Sequence, residues 1–189
     1  MQEEAQALFP VGRPLLLLAV LWIVAVGGIL FLVGMNGRSL VGALFSLVLL
    51  WLSYLDLRDG FLYDAITVPF AAVGIVFSLM GLLVPIGNAL IGGTLCGVLF
   101  YCVYIAARGG LGGGDVKLAI GLGVWLGWEA AIVAVWTAFL LGGAAAVFLL
   151  AARRRGRHDG IPFGPFLSLG GYIGFVVGDQ LWQIYWGIL

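Results

Sequence analysis

Long apolar runs separated by short polar segments dominate the pattern of the chain. A helix needs about 20 apolar residues to cross roughly 30 Å of hydrocarbon, at about 1.5 Å per residue. Six runs are long enough or nearly so, whereas the fifth, about 12 residues long, fits a short or tilted span or a re-entrant segment. The pattern predicts an all-α, polytopic helix bundle with about seven hydrophobic segments and six to seven crossings. The runs are approximately 15–33, 40–55, 65–83, 86–107, 116–127, 129–151 and 166–188.

Composition supports a membrane protein. The 189 residues are 63% hydrophobic and 10% charged, whereas soluble domains carry about 25% charged residues. The formal net charge of zero gives no basic footprint for nucleic acid. We expect a single membrane-embedded domain over 1–189, with an extra span and loop at 1–39 and the core at 40–189. Because Glu3 and Glu4 stand where a signal peptide has basic residues, we interpret the first run as an uncleaved span.

The distribution of basic residues predicts the orientation. If the N-terminus is cytoplasmic and all seven runs cross, Arg38 is the single basic residue on the outer side. If the fifth run did not cross, the Arg153–Arg157 cluster would lie outside, which the positive-inside rule opposes. The sequence therefore predicts seven crossings of the inner, cytoplasmic membrane. Trp182, Tyr185 and Trp186 suit an outer aromatic belt.

Acidic residues collect at the predicted cytoplasmic ends of the runs. Asp56 ends the second run and Asp115 opens the fifth, so carboxylates from two helices are expected at one depth. Two close carboxylates do not both ionise cheaply, and they share one proton. The charged one activates water and the protonated one polarises a peptide carbonyl, which is the chemistry of an aspartic protease. Asp59 and Asp64 lie beside them, Asp59 as a solvated loop residue.

Other chemistries are poorly supported. His158 is the only histidine, and Cys96 and Cys102 lack the spacing of a metal or disulfide site, so we interpret both cysteines as apolar core residues. The glycines at 109–114 lack the ending of a phosphate-binding loop. A small transporter or channel subunit remains the main alternative, because membrane acids also mark ion pathways. Against it, no inverted repeat is visible and the acids gather at one face.

Three segments together resemble a known family. Residues 112–118, GGGDVKL, look like the GxGD signature of the type IV prepilin peptidases. Residues 56–69 resemble the family's other aspartate motif, with Asp56, Asp64, a threonine and a proline at the family spacing. Residues 161–166, IPFGPF, are similar to its late proline–glycine loop. The resemblance covers about residues 40–188.

The resemblance implies a catalytic dyad of Asp56 and Asp115, with no metal or organic cofactor. It implies cleavage of the basic leader of a prepilin or pseudopilin at the cytoplasmic face, without indicating which pilin-like protein is the substrate. Gly112 and Gly114 are expected to shape the loop that carries Asp115. Many members have a zinc-binding insertion after the first span that is linked to N-methylation. Here about six residues, 34–39, join the first two runs without a cysteine, so methyltransferase activity is not expected.

Structural roles compete with chemical ones at three of these positions. Asp115 follows glycines and opens a helix, so it is also a candidate N-cap. Asp64 is interpreted as the N-cap of the third run, beside the proposed site. Lys117 either extends its ammonium group to the lipid interface, tunes the dyad or binds a substrate carboxylate. Asp64 and Lys117 are accordingly predicted as substrate-contacting or loop-shaping residues.

Overall fold

The computed structural model describes residues 13–107, 110–151 and 162–188. This part of the chain contains helices and no strand, which confirms the predicted all-α class. Four helices are long and apolar enough to cross a membrane, namely α1 from Pro14 onward, α2, α4 and α5, whereas α3 is a shorter apolar helix. The predicted count of about seven segments is not confirmed. The six helices are α1 (Arg13–Val33), α2 (Gly37–Asp59), α3 (Asp64–Leu79), α4 (Ile86–Ala106), α5 (Gly113–Ala151) and α6 (Gly164–Ile188).

Helix α5 contains the fifth and sixth apolar runs as two arms on either side of Gly127. Gly127 has φ 75° and ψ 172°, a backbone conformation that is essentially restricted to glycine. Gly171 of α6 lies against Leu122 of the first arm, and its neighbour Gly170 lies against Ala138 of the second. In one straight helix Leu122 and Ala138 would be about 24 Å apart. The arms therefore lie side by side, and the chain reverses direction at Gly127.

An aromatic cluster joins four helices at the centre of the core. Phe45 of α2 stacks on Phe70 of α3 and Phe175 of α6, with ring centroids 5.7 and 5.1 Å away. Trp125 of α5 lies 5.0 Å from Phe45 and 5.1 Å from Phe70. Its indole N–H donates to the Phe70 carbonyl oxygen at 2.7 Å, so the polar atom of the buried ring is satisfied. This cluster fixes α2, α3, α5 and α6 relative to one another.

Helix α1 contacts this core through the fully buried side chain of Ile29 and through two polar contacts. The indole N–H of Trp22 donates to the Ala43 carbonyl oxygen at 2.9 Å. The Tyr172 hydroxyl of α6 donates to the Ala25 carbonyl oxygen, also at 2.9 Å. Most other large side chains of α1 are exposed, as expected of a helix that faces lipid. Helix α1 therefore lies at the edge of the bundle.

Some predictions were wrong and others concern residues outside the described part. Cys96 is buried as expected, but Cys102 is exposed on α4, so its interpretation as a core residue was wrong. Such a side chain is tolerated where a helix faces lipid, because lipid is itself apolar. Glu3, Glu4 and the Arg153–Arg157 cluster, which supported the uncleaved first span and the orientation, lie outside the described residues. His158 also lies outside the described residues, as does Ile161, the first residue of the segment 161–166.

Candidate active site

Asp56 lies in the last turn of α2, which Gly60 terminates. Gly60 has φ 70°, in the left-handed region that favours glycine, and its N–H donates to the Asp56 carbonyl oxygen at 2.9 Å. The Asp56 side chain is buried, with 5% of the residue exposed. Its Oδ2 accepts a hydrogen bond from the backbone N–H of Gly164 at 2.8 Å. Because Gly164 is the first residue of α6, the end of α2 and the start of α6 meet at this carboxylate.

Asp115 is the third residue of α5 and is 7% exposed. Its Oδ2 accepts from the backbone N–H of Gly112 at 3.1 Å, and its own N–H donates to the Gly112 carbonyl oxygen at 3.1 Å. The carboxylate thus reaches back to the residue that precedes the helix, as the third residue of a capping box does. The prediction of Asp115 as the N-cap was therefore wrong by position. Its Oδ1 is buried and has no hydrogen-bond partner among the described residues.

The two aspartates line one cavity of about 370 Å³. Around them lie the connection between α2 and α3, the glycine loop before α5 and the segment before α6. Burial and the proximity of a second carboxylate both oppose ionisation of the pair together. The cavity can therefore hold a water or a peptide bond between one charged and one protonated carboxyl group. Its other lining residues include Gly60, Phe61, Leu62, Gly112, Pro162 and Phe163.

Glycines allow the backbone to approach the aspartates closely. A Cβ atom added at Gly114 would lie 2.6 Å from the Leu62 Cβ and 2.9 Å from the Leu62 carbonyl oxygen. A Cβ atom at Gly112 would lie 3.2 Å from Asp115 Oδ2. Real Cβ contacts are rarely this short, so Gly114 is required for α5 to begin against the α2–α3 connection. This geometry is consistent with the predicted loop-shaping roles of Gly112 and Gly114, which remain predictions.

An exposed ion pair lies beside the cavity and links α3 to α5. The ammonium group of Lys117 lies 2.5 Å from Asp64 Oδ2, and both side chains are substantially exposed. Asp64 is the first residue of α3, whose N-cap is Tyr63. No side-chain hydrogen bond caps this helix, so the prediction of Asp64 as the N-cap was wrong. Its carboxylate pairs with Lys117 instead, while still lying near the positive end of the helix dipole.

Asp59 is the last residue of α2 rather than part of a free loop. Its carboxylate forms an ion pair with Arg58 at 2.7 Å. The hydroxyl of Tyr63 donates to Asp59 Oδ2 at 3.2 Å. The prediction that Asp59 lies in a solvated loop was therefore wrong, because Asp59 belongs to α2. These contacts direct the Asp59 carboxylate to its own neighbours rather than to Asp56.

Sequence reasoning missed the residue that holds Asp56. The sequence indicates Gly164 only as part of the segment 161–166, which resembles the family's late proline–glycine loop. The hydrogen bond joins residues 108 positions apart, so no local pattern predicts it. A glycine between Phe163 and Pro165 was the available signal, because such a segment permits close approach of the backbone. No group of three potential metal ligands occurs among residues 13–107, 110–151 and 162–188.

Comparison with known proteins identifies similar sequences. The model of the type IV leader peptidase family matches residues 43–147. A protein named prepilin leader peptidase/N-methyltransferase from Aeromonas salmonicida (strain A449) is 33% identical over 153 residues, or 76% of this chain and 53% of that protein. Proteins of the same name from Burkholderia pseudomallei (strain 1026b) and Neisseria gonorrhoeae are 36% and 33% identical, over 85% and 79% of this chain and 53% of each relative. The chain thus spans about half the length of the curated relatives it matches. No solved structure is significantly similar to it.

Proposed function

The chain belongs to the type IV leader peptidase family, and on this premise we propose that it is a membrane-embedded aspartic endopeptidase. Its substrate class is the prepilins and pseudopilins, from which it removes the basic leader peptide. The observation that carries the proposal is the meeting of two buried carboxylates, Asp56 and Asp115, in one cavity. The names of the relatives support the substrate class.

The proposed mechanism divides the chemistry between the two aspartates. The charged carboxylate takes a proton from a water molecule, whose oxygen then attacks the carbonyl carbon of the scissile peptide bond. The protonated carboxyl group hydrogen-bonds to the carbonyl oxygen and stabilises the charge that develops there. When the tetrahedral intermediate collapses, a proton moves to the leaving nitrogen, and the dyad returns to one shared proton. The step needs neither a metal nor an organic cofactor.

The proposal includes a seven-segment topology in the inner, cytoplasmic membrane, with the cavity at the cytoplasmic face. Its support is the reversal of α5 at Gly127, which gives the fifth and sixth runs separate, antiparallel arms. Arg38 lies in the first turn of α2 and Arg58 in its last turn, so the single basic residue predicted outside lies at the end of α2 opposite the cavity. A leader rich in basic residues would remain on the cytoplasmic side under this arrangement. Lipid surrounds the exposed apolar faces.

We further propose a single peptidase domain and do not extend the proposal to N-methylation. Residues 34–36 join α1 directly to α2, which leaves no space at that connection for a zinc-binding insertion. The methyltransferase part of the relatives' name is therefore not transferred to this chain. Gly112, Gly114, Lys117 and Asp64 remain proposed as residues that shape the rim of the site.

The decisive experiment is cleavage of a prepilin by the purified protein in detergent or liposomes. Wild type should cut, whereas Asp56→Asn and Asp115→Asn should each lose about 10²- to 10⁴-fold in kcat/KM, because each lacks one proton-transfer group. Asp179→Asn is the matched control. Asp179 pairs with Arg38 at 3.1 Å at the opposite end of the bundle, so this variant should cut like wild type.

The outcomes separate the functional alternatives. If a folded single variant of the dyad retains full activity, the enzyme is a protease with a different partner, and Asp59 or Asp64 is tested next. If wild type cuts no pilin-like substrate, the proposal is wrong. An ion-flux assay in proteoliposomes, comparing wild type with Asp56→Asn, then tests the transporter or channel alternative.

A further inference from the structure

The two carboxyl groups of the cavity have different hydrogen-bonding surroundings. Asp56 Oδ2 accepts the N–H of Gly164 at 2.8 Å, and Gly164 begins a helix of 25 residues. Asp115 Oδ2 accepts the N–H of Gly112 at a longer 3.1 Å. Asp115 Oδ1 is buried without a partner among the described residues. The hydrogen bonds to the two carboxyl groups therefore differ, although both groups are aspartate side chains.

Each environment favours a different protonation state. Both carboxyl groups lie at a helix start, Asp56 against the first turn of α6 and Asp115 in the first turn of α5, so both helix dipoles stabilise negative charge and do not distinguish them. The shorter hydrogen bond from Gly164 does distinguish them. A hydrogen bond to the charged form of a carboxyl group favours ionisation. A buried oxygen without a donor is costly as an anion, whereas a protonated oxygen supplies its own donor to whatever enters the cavity. Asp115 Oδ1 is such an oxygen.

We propose that Asp56 is the ionised aspartate, held in place by the backbone N–H of Gly164 as a positioning residue, and that Asp115 carries the shared proton on Oδ1. This assignment rests on the proposed peptidase function and deepens it. Asp56 then accepts the proton of the attacking water, and Asp115 donates a hydrogen bond to the substrate carbonyl. Gly164 acts through Asp56 and does not touch the substrate.

Gly164 is suited to this role because it has no side chain. A Cβ atom added there would lie 2.6 Å from Asp56 Oδ2 and 3.0 Å from its Cγ. The carboxylate must therefore move away from the N–H if Gly164 becomes alanine. Replacement thus weakens one hydrogen bond to one aspartate and leaves the donor to Asp115, Gly112, in place.

Other charges near the cavity are compensated locally. Arg58 pairs with Asp59, and Lys117 pairs with Asp64. These four charged side chains lie near the dyad, at the ends of α2, α3 and α5. Each pair brings one positive and one negative charge together, so neither favours one aspartate of the dyad strongly. The two aspartates therefore differ mainly in the backbone N–H groups that donate to them, Gly164 to Asp56 and Gly112 to Asp115.

The test is the pH dependence of kcat/KM for prepilin cleavage by the full chain, comparing wild type with Gly164→Ala. The acid limb reports protonation of the ionised aspartate, and the basic limb reports loss of the shared proton. Gly164→Ala should move the acid limb to higher pH by about one unit or more and leave the basic limb in place, because a hydrogen bond to the charged form is weakened. The control Gly143→Ala, where an added Cβ meets nothing within 4 Å, should reproduce the wild-type profile.

Movement of the basic limb alone would assign the roles in reverse and overturn the proposal. A fall in kcat without movement of either limb would also overturn it, since Gly164 would then be merely structural. If wild type cuts nothing, the proposed function fails and this assignment fails with it. If wild type cuts but Gly164→Ala gives either of the two contradicting results, this assignment is wrong and the proposed function stands.

A second comparison applies if Gly164→Ala does not fold. Asparagine resembles a protonated carboxyl group, because its amide N–H₂ donates hydrogen bonds. Asp115→Asn should therefore keep at least about tenfold more residual activity than Asp56→Asn, within the range expected for loss of one acid–base group. Equal residual activities, or a higher residual activity of Asp56→Asn, would contradict the assignment.

Discussion

At the scale of single residues, the ion pair of Lys117 with Asp64 bears on which of its predicted roles is favoured. Its ammonium group lies 2.5 Å from Asp64, on the rim of the cavity, and 44% of its side chain is exposed. Exposed ion pairs contribute about 0–1 kcal/mol to stability, because water and salt screen them. Lys117 is therefore engaged in linking the starts of α3 and α5. The contact favours a loop-shaping role over tuning of the dyad.

We predict that Lys117→Gln lowers the free energy of unfolding by less than about 1 kcal/mol and kcat/KM by less than about tenfold. Asp64→Asn should behave similarly, and the double variant should lose little more than either single variant, since both remove one pair. Unfolding in detergent and prepilin cleavage measure these effects. Near-complete loss of cleavage in Lys117→Gln but not in Asp64→Asn would show that Lys117 acts on the dyad or the substrate.

At the scale of elements, the contact between α4 and the first arm of α5 depends on two glycines. A Cβ atom at Gly92 would lie 2.3 Å from the Gly123 carbonyl oxygen, and one at Gly123 would lie 2.2 Å from the Gly92 carbonyl oxygen. Both neighbours are backbone atoms, which cannot rotate away as a side chain does. Small residues at such crossings let membrane helices pack closely through van der Waals contact. This contact holds the arm whose first turn contains Asp115.

We predict that Gly123→Ala lowers the free energy of unfolding by about 1–3 kcal/mol or more, as overpacking of a tight interface does. The loss should appear as a lower Tm in detergent and as weaker cleavage, because the arm carries Asp115. Gly143→Ala is again the matched control. Its added Cβ meets nothing within 4 Å, so its Tm should equal or exceed that of wild type. Equal stability of the two variants would contradict the tight α4–α5 contact.

A second element-scale feature was absent from the sequence interpretation. Asp179 lies within α6 and matches no motif of the sequence. It binds Arg38 at 3.1 Å, and the Arg38 guanidinium lies 5.3 Å from the centroid of the Phe175 ring. These contacts tie the start of α2 to the end of α6. The end of α2 and the start of α6 also meet, where Gly164 donates a hydrogen bond to Asp56. Polar contacts therefore join these two helices near both ends of α2.

At the scale of the whole molecule, the two ends of the bundle differ in chemistry. One end holds the cavity, the glycine loop and the ion pairs Arg58–Asp59 and Lys117–Asp64. The other holds the Arg38–Asp179 pair and a cluster of Trp128, Trp182 and Trp186. Indole rings are enriched where membranes meet water. Because such rings occur at both interfaces, the cluster is consistent with a membrane surface at this end, and the orientation of the cavity rests on the distribution of basic residues.

We predict that single cysteines at the two ends react differently with a membrane-impermeant thiol reagent in intact cells. Met35→Cys, at a residue that is 91% exposed between α1 and α2, should be labelled from outside. Phe61→Cys, at a residue that is 72% exposed beside the cavity, should react only after permeabilisation. The background should lack Cys96 and Cys102, because Cys102 is exposed. The opposite labelling pattern would show that the orientation is inverted.

Local features of the chain were enough to predict the all-helical class, the apolar runs and the family. They were enough because helix length, hydropathy and motif spacing are local properties, readable from neighbours along the chain. The sequence also singled out Asp56 and Asp115 by motif, and placed each at the end of a run. Their catalytic role stays a prediction, and the sequence motifs were sufficient to select them as candidates.

The contacts between these segments follow from the folded structure and were not predictable from local sequence. Folding brought Asp56 and Asp115 to one cavity and gave Asp56 a donor from Gly164, 108 residues away. It also reversed the chain at Gly127 and paired Lys117 with Asp64. Such contacts depend on the packing of several helices at once, and packing energy is a property of the assembled core rather than of any segment. The sequence therefore supplied the reactive groups, and the packing of helices decided their partners.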